Sequence, residues 1–213
     1  MTIIDKGTID YKTEILRKAI HFCSLSIAIV YYFIPKELAL KILIPLTVIS
    51  LIIDLARYFI PPFSNIFYFI FGFMLRQHEK DTNKKTLNGA TYVLLAATLV
   101  VLIFPKAFVV PAVAILIVGD ISAALIGRKF GKHKFLSKSL EGTIAFIIAG
   151  AIVIILAPKV EGYFIEYIIG FIAVFVGGIA ENISYGWADD NLTVPLAICL
   201  TLALLYYLFL PGV

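Results

Sequence analysis

The chain has 213 residues, 61% of them hydrophobic and only 15% charged, with a mean hydropathy of +0.99. That balance excludes an ordinary soluble domain, and long apolar runs without strict alternation exclude a membrane β-barrel, leaving an all-α polytopic helix bundle. The formal net charge of +4 is segregated along the chain, so it speaks to membrane topology, and no nucleic-acid partner is expected.

The opening stretch MTIIDKGTIDYKTEILRK mixes charges of both signs. It lacks the basic start and small-residue cleavage site of a signal peptide, so the first span is expected to be retained. Seven transmembrane helices are predicted, at about 15–34, 38–60, 87–104, 107–127, 140–157, 163–183 and 192–210, within one domain over 1–213. Pro35, Pro61, Pro62, Pro105, Pro158 and Pro211 punctuate their ends, where a helix must stop. The run PFSNIFYFIFGFML is apolar but only about 14 residues long, so 62–75 is read as an interfacial or re-entrant segment. Cys23 and Cys199 stand alone in apolar runs and are read as packing residues.

Lysine and arginine gather in alternate connections: Lys6, Lys12, Arg17 and Lys18; then Arg76, Lys80, Lys84 and Lys85; then Arg128, Lys129, Lys132, Lys134 and Lys138. The other connections carry only Lys36, Lys41, Lys106 and Lys159. The positive-inside rule then sets the N-terminus in the cytoplasm and the C-terminus outside, in a multi-pass protein of the cell membrane. The same orientation gathers Glu14, His21, Asp54, Arg57, Asp120, Glu181, Asp189, Asp190 and Asn191 at cytoplasmic helix ends. An ionisable residue within a span is costly, so this one-sided grouping marks a candidate site facing the cytoplasm.

Each cluster admits a functional and a structural reading. Asp120 shares a helical face with Ala123, Ala124 and Gly127, which suits either close approach of a ligand or a helix-packing face with a structural ion pair. In GRKFGKHKFLSKSLEG, Arg128, Lys132 and Lys138 are candidate phosphate ligands. Gly131 and Gly142 would let backbone amides approach, and Ser139 would cap a helix beginning near Leu140. The spacing of GRKFGK is not that of a Walker A loop, and a topogenic basic loop on anionic headgroups would also explain the lysines. Glu14, Arg17, Lys18 and His21 lie on one helical face, as an interfacial anchor or as a holder of phosphate or headgroup. In WADDNLTVPLA the paired carboxylates Asp189 and Asp190 suit Mg²⁺ shared with phosphate oxygens, while Asn191 can equally cap the last helix. GDIS in the fourth span and ENIS in the sixth form a short echo, too brief to establish a repeat.

Taken together, E-x-x-R-K-x-x-H at 14–21, N-G-x-T-Y at 88–92, G-D-x-x-A-x-x-x-G-R-x-x-G-K at 119–132, K-S-x-E-G at 138–142 and D-D-N-L-T-V-P-L at 189–196 resemble the dolichol kinase, phytol kinase and CTP-dependent diacylglycerol kinase family. The likeness runs over nearly the whole chain. It implies transfer of the γ-phosphate of CTP to a lipid alcohol at the cytoplasmic face: a polyprenol or dolichol, phytol or geranylgeraniol, or diacylglycerol. More distantly the chain is similar to phosphatidate cytidylyltransferases, but it lacks their glycine-rich, arginine-containing C-terminal signature, so cytidylyl transfer is the alternative activity. A transporter or scaffold is a remote alternative, because a transport path needs polar groups reaching both faces.

Under this resemblance Arg128, Gly131, Lys132, Lys138, Ser139 and Gly142 are expected to bind the nucleotide. Asp120, Glu181, Asp189 and Asp190 would hold Mg²⁺. Asp120, Glu141, Lys138 and Asp190 are the candidate catalytic residues, with Asp120 or Glu141 orienting or deprotonating the lipid hydroxyl. Arg17, Lys18, His21, Asn88 and Asn191 are expected to position lipid or phosphate.

Overall fold

The computed structural model describes residues 10–73, 75, 86–184 and 189–211. Lys6, Arg76, Lys80, Lys84 and Lys85, members of the basic clusters above, lie outside the described residues, as does Met74 of the 62–75 segment.

Each predicted span is a helix. The first consists of α1 (Tyr11–Cys23) and α2 (Leu25–Phe33), joined at Ser24. The side chain of Asp10 caps α1 by accepting from the Lys12 amide, supplying one partner for the orphan donors of a first turn. Pro35 then ends the segment and leads into α3 (Lys36–Phe59). Next comes α4 (Pro61–Phe71), with proline at its start, where a missing N–H costs nothing. At 11 residues it is about 16 Å long, too short to cross a core of about 30 Å. Its exposed Ile66, Phe69 and Ile70 and its packing against α3 fit a segment lying along the membrane surface.

The remaining spans are α5 (Gly89–Ile103), α6 (Lys106–Phe130), α7 (Leu140–Leu156), α8 (Phe164–Ile183) and α9 (Asp190–Phe209). Five segments are long and apolar enough to cross a membrane, and α5 and α7 are shorter apolar helices. Between α6 and α7 the basic loop forms a small antiparallel hairpin, β1 (Lys134–Phe135) with β2 (Lys138–Ser139). Its turn contains Leu136 at φ 50, an unusual conformation for a residue with a side chain.

α6 is the axis of the bundle: 61% of its most apolar window is buried, against 17–44% for the other long spans. It packs on α7, α9, α2, α1 and α5. Close approach depends on small residues at crossing points, as expected where lipid tails are as apolar as the helix surface. A Cβ on Gly142 would come within 2.9 Å of the Ala123 carbonyl oxygen, and one on Gly119 within 2.7 Å of the Phe146 ring. Facing outward are Phe33, Ile52, Ile148, Leu156, Leu204 and Tyr207, the apolar surface that a multi-pass protein presents to lipid.

The two ends of the bundle differ. At the end distant from the basic loop, lysines neutralise helix C-termini: Lys36 donates to Leu102 O at 2.9 Å, Lys106 to Ile34 O at 2.6 Å, and Lys159 to Ile154 O and Ala157 O. Those carbonyls have no partner within their own helices, and a cation there also opposes the helix dipole. Glu166 is buried at this end and accepts from the amides of Val160, Glu161 and Tyr163 and from Tyr206 Oη. At the other end lie the buried charges Glu14, Lys18, Asp54, Arg57, Asp120 and Glu181.

Those lysine contacts also set the heights of the helices. The Lys36, Lys106 and Ile103 ends are level, so α5, with 15 residues, reaches about 22 Å towards the polar end, while α6, with 25, reaches about 37 Å. Asp120 lies about 21 Å along α6, level with the start of α5 and well below the end of its own helix. Asp120 therefore lies buried, set back from the polar end of the bundle.

Candidate functional site

Asp120 projects from α6 with 4% exposure. Lys18 of α1 donates to its Oδ2, and His21 Nε2 stands 3.3 Å from the same oxygen. Helical spacing puts Glu14 one turn before Lys18, at 4.0 Å from its Nζ, and Glu14 also meets Arg128 Nη2 at 3.3 Å. The face predicted from EILRKAIH is thus folded inward onto α6. Arg17, half-buried on the neighbouring side of α1, is close enough to act electrostatically on His21.

On the other side of Asp120, Lys138 Nζ donates to Glu181 Oε1 at 2.5 Å and to Asp190 Oδ2 at 3.0 Å. Lys138 is brought there by the hairpin, which Asn182 pins: its Oδ1 accepts from the amides of Ser137 and Lys138 at 2.8 and 3.1 Å, and its Nδ2 donates to Thr143 Oγ1 at 2.7 Å. Burial alone would lower the lysine's pKa, but the Asp190 and Glu181 carboxylates outweigh it and raise it above the ordinary value. Lys138 is therefore an ammonium at any physiological pH.

Asp120, Glu181 and Asp190 together place three carboxylate oxygens within 4.8 Å of one another. Three like charges at that separation repel strongly, and the Lys18 and Lys138 ammonium groups offset them. The donor set is all oxygen and anionic, which fits a hard divalent cation such as Mg²⁺ sharing its remaining positions with phosphate oxygens.

Other predicted residues are placed differently. Asp189 is not part of the trio: it is the N-cap of α9, and its Oδ1 accepts from the Asn191 amide at 3.0 Å and from Asn191 Nδ2 at 2.7 Å. The Asn191 side-chain nitrogen is committed to that cap, while its Oδ1 is buried without a hydrogen-bond partner among the described residues. Glu141 is also outside the trio. It accepts from the His133 amide and pairs with His133 Nδ1 at 2.8 Å, and His133 is itself 73% exposed, so Glu141 clamps the loop. Ser139 caps α7, accepting from the Gly142 amide at 3.2 Å. That amide is therefore occupied, and Gly131 packs against Ser139, where an added Cβ would meet Ser139 Cβ at 2.9 Å. Both glycines serve helix and hairpin contact. Lys132 is exposed in the loop between α6 and the hairpin.

Asn88 belongs to a second buried network. Its side chain caps α5 by accepting from the Thr91 amide, while its own amide donates to Asp54 Oδ2 at 2.7 Å. Asp54 also pairs with Arg57 Nε at 3.0 Å, and Arg57 donates to Thr86 O at 2.6 Å while lying 5.1 Å from the Phe67 ring centroid of α4. This network ties the ends of α3, α4 and α5 together beside the site. Sequence reasoning missed Asn182 and Thr143. The only signal was the position of Asn182 directly after Glu181.

No family profile matches the chain, and no solved structure matches it. Among curated proteins, the chain is 28% identical to an uncharacterised protein of Rickettsia prowazekii over 202 residues, covering 94% of this chain and 98% of that one. It is 26% identical to CTP-dependent diacylglycerol kinase 1 of Schizosaccharomyces pombe over 155 residues, 67% of this chain and 69% of the yeast protein. Against the phytol kinase of Synechocystis it is 35% identical over 103 residues, 42% of this chain and 41% of that enzyme. The chain, a polytopic membrane bundle with a buried acidic and basic site, is a distant relative of lipid kinases.

Proposed function

We propose that this protein transfers the γ-phosphate of CTP to the primary hydroxyl of a membrane lipid alcohol, at the cytoplasmic face and with Mg²⁺. The observation that carries it is the trio Asp120, Glu181 and Asp190 beside Lys18 and Lys138, set back at one end of a membrane bundle. CTP as donor is supported by the similarity to the yeast CTP-dependent diacylglycerol kinase. The basic clusters at that end support the cytoplasmic orientation.

Phosphoryl transfer needs positioning and charge neutralisation more than covalent chemistry. Asp120, Glu181 and Asp190 would hold the metal, which when bound supplies charge neutralisation to the phosphate oxygens. Lys138, with its three rotatable donors, exchanges a carboxylate for a phosphate oxygen as the nucleotide arrives. Arg128 and Lys132, on the loop side of the trio, meet the incoming triphosphate. Lys18 and His21 hold Asp120 from the α1 side, and Asp120 orients the lipid hydroxyl and accepts its proton. Glu141 keeps the hairpin in place through His133.

The test is purified protein in lipid nanodiscs, offered CTP, ATP, GTP and UTP against polyprenols, phytol and diacylglycerol with and without Mg²⁺. A phosphorylated lipid formed from CTP with Mg²⁺ is expected. Absence of any nucleotide-dependent lipid product across the panel would overturn the proposal.

A further inference from the structure

We infer that Lys138 is a built-in counter-ion that keeps the carboxylate trio shut, and that a divalent cation enters only when phosphate oxygens draw its ammonium away. Cation and nucleotide then bind as a coupled pair. The inference deepens the kinase reading and rests on it only for the identity of the nucleotide. Lys138 Nζ donates to Glu181 Oε1 at 2.5 Å and to Asp190 Oδ2 at 3.0 Å. These are two of the three oxygens that a cation in the trio would have to bond, so ammonium and cation compete for one place. Lys18 takes the matching position on Asp120, the third carboxylate. Three carboxylates against two ammonium groups leave one net negative charge. Glu14 and Arg128 pair with each other beyond Lys18 and leave that count unchanged. One charge is too little to draw a doubly charged ion out of water into a buried place.

The two ammonium groups are not equally free to leave. Lys18 stands on a helix between Asp120 and Glu14 with 8% of its side chain exposed, whereas 27% of the Lys138 side chain is exposed. Asn182 Oδ1 holds the backbone amides of Ser137 and Lys138, so opening needs only rotation of the lysine side chain while the hairpin stays in place. A triphosphate supplies the acceptors and the negative charge that the departing ammonium would otherwise lose. The closed arrangement also leaves an acceptor unmet beside the trio. Asn191 Oδ1 is buried with no hydrogen-bond partner among the described residues, and the Nδ2 of the same side chain lies 3.5 Å from Asp190 Oδ1. A buried acceptor without a donor is costly, and a cation that arrives with some of its water brings donors to it. By linkage, whatever draws Lys138 away raises the affinity for the cation, and the cation raises the affinity for that ligand by the same factor.

The test uses full-length protein in phosphatidylcholine nanodiscs without a lipid alcohol. Mn²⁺ binding is read from loss of the free ion's paramagnetic resonance signal, and binding of β,γ-methylene-CTP or inorganic triphosphate by equilibrium dialysis. Without either anion, Lys138→Gln is expected to bind Mn²⁺ at least tenfold more tightly than wild type. Lys138→Arg, which keeps the charge, should behave as wild type, and adding Glu181→Gln to Lys138→Gln should abolish the gain. Asn182→Ala, which unpins the hairpin that carries Lys138, should move Mn²⁺ binding in the same direction and serves if Lys138→Gln does not fold. Mn²⁺ should tighten binding of both anions to wild type at least tenfold, and to Lys138→Gln less than threefold. Equal Mn²⁺ affinity in wild type and Lys138→Gln without an anion, or anion binding to wild type that is indifferent to Mn²⁺, would overturn the inference. A trio that Lys138→Gln opens, in a protein that phosphorylates no lipid alcohol, sinks the kinase reading and leaves the counter-ion standing. Phosphate transfer by a protein whose wild-type trio takes Mn²⁺ as tightly as Lys138→Gln does the reverse.

Discussion

Asp120→Asn separates catalysis from folding. The substitution preserves volume and one acceptor oxygen but removes a unit charge from a group that is 4% exposed. Within the trio, oxygens no more than 4.8 Å apart repel by about 3–4 kcal/mol per pair at an effective dielectric of about 20. The attraction between Asp120 and Lys18 is of the same order at that dielectric, so its loss and the relief of repulsion nearly cancel. With attraction and repulsion offsetting, stability should change by no more than about 1 kcal/mol, short of the about 3–5 kcal/mol that stripping one partner from a buried ion pair without such relief costs. Activity should not be spared, because a preorganised charge that acts on the transition state is worth about 2.7–4 kcal/mol, or roughly 10²–10³ in kcat. The assay is γ-label transfer from CTP to a lipid alcohol, with the melting transition measured on the same preparation and Mg²⁺ titrated. A lower kcat, a higher Mg²⁺ requirement and an unshifted melting temperature are expected. More than half of wild-type activity in a folded Asp120→Asn preparation would refute the assignment.

Glu141→Gln should leave kcat within about fivefold of wild type, since the group lies in the loop clamp with His133 and changes outside the machinery are mild; a loss beyond a hundredfold would restore it as a catalytic carboxylate. Asp189→Ala should cost about 1 kcal/mol of stability through the lost α9 cap and leave the Mg²⁺ requirement unchanged, as a metal titration checks. Gly142→Ala should destabilise by about 1–3 kcal/mol by forcing α7 from the Ala123 carbonyl, read as a lowered melting temperature. The raised pKa of Lys138, set by Asp190 and Glu181 against its burial, means that its ion pairs are fully present below the ordinary lysine value of about 10.4 and are lost only as pH rises through the higher folded value. Melting temperature should therefore show no Lys138-dependent fall between about pH 7 and 10; a fall in that window that Lys138→Met abolishes would contradict the geometry.

The seven helices were legible because a bilayer leaves a chain no way to satisfy its backbone except within each segment, so hydropathy and proline positions carried nearly all the information. The convergence of Asp120, Glu181 and Asp190 followed from topology, which puts alternate helix ends on one side. What failed to show was how neighbours in sequence divide their work. Asp189 and Asp190 are adjacent, yet one caps a helix and the other faces Lys138. Glycine beside lysine has the same signature in a phosphate-binding loop and in a close helix crossing, and the crossing itself shows only in the contacts of Gly131 and Gly142 with Ser139 and Ala123. The hairpin was invisible because its strands have two residues each and depend on a tertiary partner, Asn182.

The central claim is γ-phosphoryl transfer at the carboxylate trio. Its most direct measurement compares CTP labelled at the γ-phosphorus with CTP labelled at the α-phosphorus, using purified protein, Mg²⁺ and a membrane lipid alcohol. Label recovered in lipid from the γ position alone, and lost in Asp120→Asn, is the predicted result. Label entering lipid from the α position, or no labelled lipid from either nucleotide, would contradict the account.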